Sequence, residues 1–169
     1  MSLKDKVRAI PDYPKKGVIF RDVTTLLKEG QDFKEAIDKM AEKIDYEIDK
    51  VIGIEARGFI VGAPLAYKLS KGFIPIRKPG KLPCEKISVE YDLEYGTDSI
   101  EMHVDGIKKG EKVVIVDDLL ATGGTSQAAI KLVESLGAEV AGLLFLMELD
   151  DINGRQKLKN YRVDSIIHY

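Results

Sequence analysis

Two adjacent carboxylates, Asp117 and Asp118, precede a short run of small and hydroxylated residues, Ala121-Thr122-Gly123-Gly124-Thr125. Val113-Val114-Ile115-Val116 before them is wholly β-branched and reads as a buried parallel strand. From Ser126 to Val133 apolar residues recur at helical spacing. Strand, acids, loop and helix in that order predict an anion cradle on the ligand-binding edge of an α/β sheet. Gly123 and Gly124 permit backbone angles and close approaches that a Cβ forbids. Consecutive N–H groups of residues 121–125 can then converge on a phosphate, with the Thr122 and Thr125 hydroxyls and the helix dipole favouring the same charge. The aspartates would repel a bare phosphate, so their natural targets are sugar hydroxyls or a divalent cation. A ligand carrying phosphate, ribose and Mg²⁺ meets every group at once. A solvated turn is the plainer reading of a lone Gly-Gly, and the whole run weighs against it. The chain has neither G-x-x-x-x-G-K-[ST] nor a G-x-G-x-x-G after a strand, which disfavours a Walker ATPase and a dinucleotide-binding domain.

Other segments carry chemistry less specifically. Arg57, in Glu55-Ala56-Arg57-Gly58, follows a strand-like Val51-Ile52-Gly53-Ile54 and can offer paired donors to a phosphate. An Arg–Glu surface pair is the alternative there. Arg77, Lys78, Lys81 and Lys86 surround Pro79, Gly80 and Pro83, which taken alone is a solvated basic face. Gly17-Val18-Ile19-Phe20-Arg21-Asp22 reads as core packing plus a surface salt bridge, and Glu94-Tyr95-Gly96 as a turn in water.

Elements must bring these groups together. Ser2-x-x-Asp5 resembles a capping box opening a short helix that Pro11 and Pro14 stop. Phe33, Ile37, Met40 and Ile44 mark an amphipathic helix, and a second helix is expected over about 58–70. Phe73–Ile76 is a strand whose Pro75 suggests a sheet edge or an end, and Val140–Leu146 is another strand. Alternating strands and helices predict an α/β fold with a doubly wound, mostly parallel sheet. Residues 77–101 interrupt this with two alternating runs that read as an antiparallel hairpin projecting from the sheet, a lid or binding loop. The 169 residues suit one domain, and a net charge of −2 gives no reason to expect nucleic acid. No apolar stretch reaches the roughly 18 residues of a membrane span, and the N-terminus lacks a signal-peptide core, so cytoplasm is the expected location. Cys84 is the single cysteine, which excludes an intrachain disulfide; His103 and His168 are too separated in sequence to suggest a metal centre.

The run from Val113 to Thr125 closely resembles the phosphoribosyl-pyrophosphate (PRPP) signature of the type I phosphoribosyltransferases. The Ala-Thr-Gly-Gly-Thr form, the Gly17–Asp22 segment and Arg77–Pro83 resemble their adenine-specific members. The resemblance implies the type I fold over residues 1–169: a twisted, mostly parallel sheet flanked by helices, a hood at about 1–30 and a mobile loop at about 77–101. It implies that adenine and PRPP give AMP and diphosphate, with inversion at the anomeric carbon. Residues 121–125 would hold the 5′-phosphate, with Asp117 and Asp118 on the ribose hydroxyls. Arg57, Arg77, Lys78 and Lys81 would face pyrophosphate. Ile19, Phe20, Arg21 and Leu149 would face adenine. Glu94 and Tyr95, with Arg57 and Lys78, would be catalytic. Mg²⁺ would bind mainly through PRPP, with Asp117 or Asp118 as possible ligands, in a homodimer. Two rivals stay open: an enzyme for hypoxanthine, guanine or xanthine, and a PRPP-sensing regulator. The first fifty residues show neither the helix-turn-helix nor the basic patch that the regulator needs.

Overall fold

The computed structural model describes residues 1–93 and 95–169. A 3₁₀ turn at Leu3–Lys6 opens with the Ser2 N–H donating to Asp5 Oδ2 at 2.8 Å, the expected cap. The turn ends well before Pro11. Instead β1 (Arg8–Pro11) pairs antiparallel with β2 (Ile19–Asp22), so Pro11 closes a strand rather than a helix. There follow α1 (Thr24–Leu27), α2 (Gly30–Lys43), β3 (Lys50–Ile54), α3 (Arg57–Leu69), β4 (Gly72–Ile76), β5 (Lys86–Leu93), β6 (Gly96–His103), β7 (Lys112–Leu120), α4 (Gly124–Ser135), β8 (Glu139–Glu148) and β9 (Val163–His168). Among the described residues no helix is long and apolar enough to cross a membrane.

The central sheet runs β4-β3-β7-β8-β9, all parallel. Alternation along each strand builds two cores. Ile52, Ile115, Leu143 and Phe145 face Ala128, Ala129, Leu132 and Val133 of α4. Val51, Val114, Val116, Leu144 and Leu146 face Ile37 and Met40 of α2 and Val61 and Leu65 of α3. Winding reverses between β3 and β7, so the loops after these strands diverge and leave a crevice at their carboxyl ends. Pro75 lies on an edge strand, as its missing N–H requires.

Two further expectations need correction. β7 does not stop before the aspartates: it continues through them to Leu120, because β8 is long enough to pair with Asp117, Leu119 and Leu120. β5 and β6 do form a hairpin, but its root does not project. Ile100 and Met102 are fully buried, and Ile87, Val89 and Tyr91 pack on the α4 side of the core. The C-terminal segment, which carries no motif, is the edge strand β9.

The β1–β2 hairpin is anchored by Asp22. Its Oδ1 accepts the Thr24 N–H (3.0 Å) and hydroxyl (2.6 Å), and its Oδ2 accepts Arg8 Nε at 3.0 Å. The Thr24 hydroxyl first, then Arg8, pull the Asp22 pKa from 3.8 to about 2. A lowered carboxylate pKa contributes stability above the unfolded value and loses it as pH falls through the folded one. Asp22→Asn is therefore expected to lower the melting temperature at pH 7, with the gap to wild type closing as pH drops from 3.8 towards about 2. Melts across that range check it; a gap independent of pH would assign the loss to packing.

Candidate active site

The crevice at the switch point is a cleft of about 250 Å³ lined by Arg57, Arg77, Lys78, Asp117, Asp118 and Thr125, with Glu55 and Ala56 in its wall. It therefore gathers residues from four separate stretches of sequence. Gly58 makes the closest part of this assembly possible. A Cβ there would stand 2.8 Å from Asp117 Oδ1 and 3.2 Å from the Val116 carbonyl, so only glycine lets α3 begin against β7. Arg57 opens that helix with Nε 3.0 Å from Asp118 Oδ2. Asp118 is 4% exposed, and its Oδ2 has charge contact but no aligned hydrogen-bond donor. The Asp118 N–H donates to Asp117 Oδ1 at 2.9 Å. Burial first, then the Asp118 carboxylate, push the Asp117 pKa well above 3.8. A cation or a pair of hydroxyl donors in the cleft would relieve both acids.

Beside the cleft lies a smaller hollow of about 90 Å³ lined by Asp117, Leu120, Ala121, Thr122, Gly123, Thr125 and Ser126. Gly123 caps α4 with φ of 83°, and Gly124 is the first helical residue. The unpaired N–H groups of the first helical turn open here. The loop packs on the turn at Gly154, where a Cβ would meet the Ala121 carbonyl at 2.2 Å. Sequence reasoning missed Gly154, since a single glycine after Asn153 reads as an ordinary turn. It also missed Lys157, whose Nζ lies 4.0 Å from the position of a Cβ on Gly124.

On the cationic wall, Arg57 and Glu55 do not pair with each other. Arg77 Nε donates to Glu55 Oε1 at 2.8 Å and the Lys78 N–H to the same oxygen at 3.3 Å. Burial works against this carboxylate, yet Arg77 and then Lys78 hold its pKa below 4.5. The backbone of Arg77 exchanges hydrogen bonds with Glu101 on β6 at 2.9 and 2.8 Å. Lys78 reaches Asp98 and Tyr91 on the hairpin, two residues that the motifs did not single out. Tyr91 continues the alternation of Ile87 and Val89, and an inward tyrosine needs a polar partner for its hydroxyl, which is the signal that could have found it. Lys81 is exposed and does not line the cleft.

The base-binding candidates surround the same edge. Phe20 is half-buried, edge-on to Tyr13 with centroids 5.4 Å apart, and the Arg57 guanidinium carbon is 5.5 Å from its ring centre. Ile19 beside it is 50% exposed. Arg21 turns to the C-terminus and stacks over Tyr169 at 4.0 Å. The Leu149 N–H donates to the Leu120 carbonyl at 3.0 Å, which places Leu149 next to the phosphate-sized hollow. Tyr95 stands 86% exposed at the hairpin tip, beyond the packed root, and is not brought to the cleft. Glu94 lies outside the described residues. His168, remote in sequence from Glu148 and Asp150, comes within 4.8 Å of both. Arg155, however, takes both Glu148 oxygens at 2.7 and 2.9 Å.

A parallel sheet with its site at the switch point, carboxylates on one strand and a glycine-rich cradle at the next helix defines the class. The chain belongs to the phosphoribosyltransferase family: residues 23–168 match the phosphoribosyl transferase domain. Its particular likeness is to adenine phosphoribosyltransferases. It is 59% identical to the adenine phosphoribosyltransferase of Acetivibrio thermocellus over 171 residues, with 100% of both chains covered. The crystal structure of the adenine phosphoribosyltransferase from Thermoanaerobacter pseudethanolicus superposes with a TM-score of 0.96 at 52% identity, covering 99% of this chain and 98% of that one. The Saccharomyces cerevisiae adenine phosphoribosyltransferase, solved with an imino-altritol bisphosphate and adenine, gives 0.91 at 40% identity over 97% and 96% of the two chains.

Proposed function

We propose that this chain transfers the phosphoribosyl group of PRPP to adenine, forming AMP and diphosphate in purine salvage. The observation that carries the reading is the convergence of Arg57, Arg77 and Lys78 with Asp117, Asp118 and Thr125 in one cleft beside a phosphate-sized hollow. The full-length likeness to adenine phosphoribosyltransferases supports adenine as the base.

In the reaction the C1–O bond to diphosphate breaks and a C1–N9 bond forms on the opposite face, inverting the anomeric centre. Positive charge develops on the ribose ring as in glycoside hydrolysis. Amides 121–125, with Thr122 and Thr125, fix the 5′-phosphate and so hold the sugar against slipping. Asp117 and Asp118 accept hydrogen bonds from the ribose hydroxyls. Arg57 and Lys78, backed by Arg77, neutralise the charge that builds on the departing diphosphate, while Lys81 keeps a pyrophosphate assignment from the resemblance alone. Phe20 and Leu149 would sandwich the base while backbone groups at Ile19 and Arg21 read its edge. Glu94 and Tyr95 keep their catalytic assignment from the resemblance, with the Glu94 carboxylate stabilising the ribose charge or assisting loss of the N9 proton.

The site suits Mg²⁺: Asp117 and Asp118 are hard oxygen donors, and Asp118 Oδ2 is buried without an aligned donor. Bound with PRPP, the ion would supply charge neutralisation to the leaving group. A homodimer, implied by the family resemblance, and a cytoplasmic location, expected from the sequence, belong to the same reading.

Purified protein with PRPP, Mg²⁺ and each purine base in turn is the direct test. AMP and diphosphate in equal amounts from adenine are expected. Comparable turnover of hypoxanthine, guanine or xanthine would reassign the base, and PRPP binding without turnover on any base would favour a sensor.

A further inference from the structure

Lys78 and Thr125 belong to opposite sides of the cleft, one following β4 and the other opening α4. Tyr91 and Asp98 have no role in the chemistry above, yet they join these two residues. They are direct cross-strand partners in the β5–β6 hairpin. Asp98 Oδ2 takes the Lys78 ammonium and, at 3.2 Å, the Tyr91 hydroxyl, while Oδ1 accepts the Ser99 N–H at 2.8 Å. Thr125 Oγ1 donates to Tyr91 Oη at 3.4 Å, and Lys78 Nζ approaches the same oxygen at 3.5 Å. The Tyr91 ring packs against the α4 core, which limits where its hydroxyl can go.

Two elementary constraints follow. A hydroxyl has one hydrogen, so Thr125 cannot donate to Tyr91 and to a phosphate together. An ammonium already paired with a carboxylate meets an incoming anion only by loosening that pair, and a part-exposed pair is weak enough to exchange.

We propose that Asp98 is an internal stand-in for diphosphate, holding Lys78 until an anionic ligand replaces it, and that Tyr91 relays occupancy between Lys78 and Thr125. This rests on the reading of Lys78 and Thr125 as anion contacts. Filling the 5′-phosphate hollow turns the Thr125 hydroxyl away from Tyr91, which loosens the trio and frees Lys78 for diphosphate. Binding at the two anion positions is thereby coupled, and the coupling must be reciprocal.

Calorimetry with Mg²⁺ and inorganic pyrophosphate, with and without saturating AMP, tests this on the full chain. Asp98→Asn is expected to bind pyrophosphate about 5-fold tighter than wild type, the scale of one part-exposed charge pair. Asp98→Ser repeats the charge removal with a smaller side chain. Asp98→Glu, which keeps the charge, should stay near wild type, an outcome that distinguishes a competing anion from a merely structural residue. AMP should tighten pyrophosphate binding to wild type, and Tyr91→Phe should lose that enhancement. Unchanged or weaker pyrophosphate binding in both charge-removing variants would overturn the stand-in, and full coupling in Tyr91→Phe would overturn the relay. A wild-type protein that binds neither AMP nor pyrophosphate would instead remove the site assignment, and the stand-in and relay with it.

Discussion

Arg57→Ala is expected to lower kcat/KM for PRPP by about 10²–10³-fold, the usual loss when one preorganised donor to developing charge is removed. The guanidinium is well placed for that work. Gly58 lets α3 start against β7, and this start sets Arg57 over the buried Asp118 and beside Phe20. One side chain thus pairs with the acid proposed to hold the sugar and lies beside the ring proposed to stack on the base. Its removal also strips the charge partner from Asp118, which is 4% exposed, so the ligand-free variant should melt below wild type. Arg57→Lys restores the charge but not the planar fork, and should recover stability more fully than turnover. Steady-state kinetics with PRPP varied, beside melting curves, separate the two effects. Wild-type kinetics in Arg57→Ala would take the residue out of the reaction.

The parts of this site that were legible in the sequence are those whose chemistry is local. Asp117, Asp118 and the residues 121–125 announce themselves because a strand end, two acids and paired glycines before a helix are each constrained by their neighbours in the chain. The contacts that were not legible depend on strand register. Ile54 pairs with Ile76 across β3 and β4, so the next residues, Glu55 and Arg77, fall side by side although 22 positions apart. Glu148 pairs with His168 across β8 and β9 in the same way, which is how a histidine remote in sequence arrives beside two acids. The strand β9 itself was invisible because an edge strand of mixed polarity gains its definition from the neighbour it pairs with. The end of β7 was misplaced for a related reason. Nothing in Asp117-Asp118 favours a strand, and only the length of β8 carries the ladder past them. The hairpin could be recognised from alternation, whereas the inward reach of Tyr91 to Thr125 required knowing which face met α4.

Gly123→Ala should separate loop geometry from mere backbone strain, with kcat/KM for PRPP falling about 10²-fold, the penalty for a displacement of order 1 Å at the reacting groups. Gly123 has φ of +83°, where an L-residue costs roughly 1–2 kcal/mol, and that cost alone would affect stability rather than phosphate binding. The added methyl would also stand 2.7 Å from the Gly154 carbonyl oxygen. The methyl is fixed rigidly to the main chain and meets a backbone oxygen, so no flexible side chain can yield, and the 121–125 loop must move off the Gly154 turn. Its amides then no longer converge on one point, and the first turn of α4 loses the alignment that makes it an anion site. Gly110→Ala is the matched control: its φ is +86°, but nothing lies within 4 Å of the added carbon, and the residue is in the turn before β7, at the opposite end of the strand from the cleft. Strain of the same kind should therefore lower the melting temperature of both variants, while AMP affinity falls only in Gly123→Ala. Equal AMP affinities in the two would mean that the main-chain amides of this loop are not what grips the phosphate.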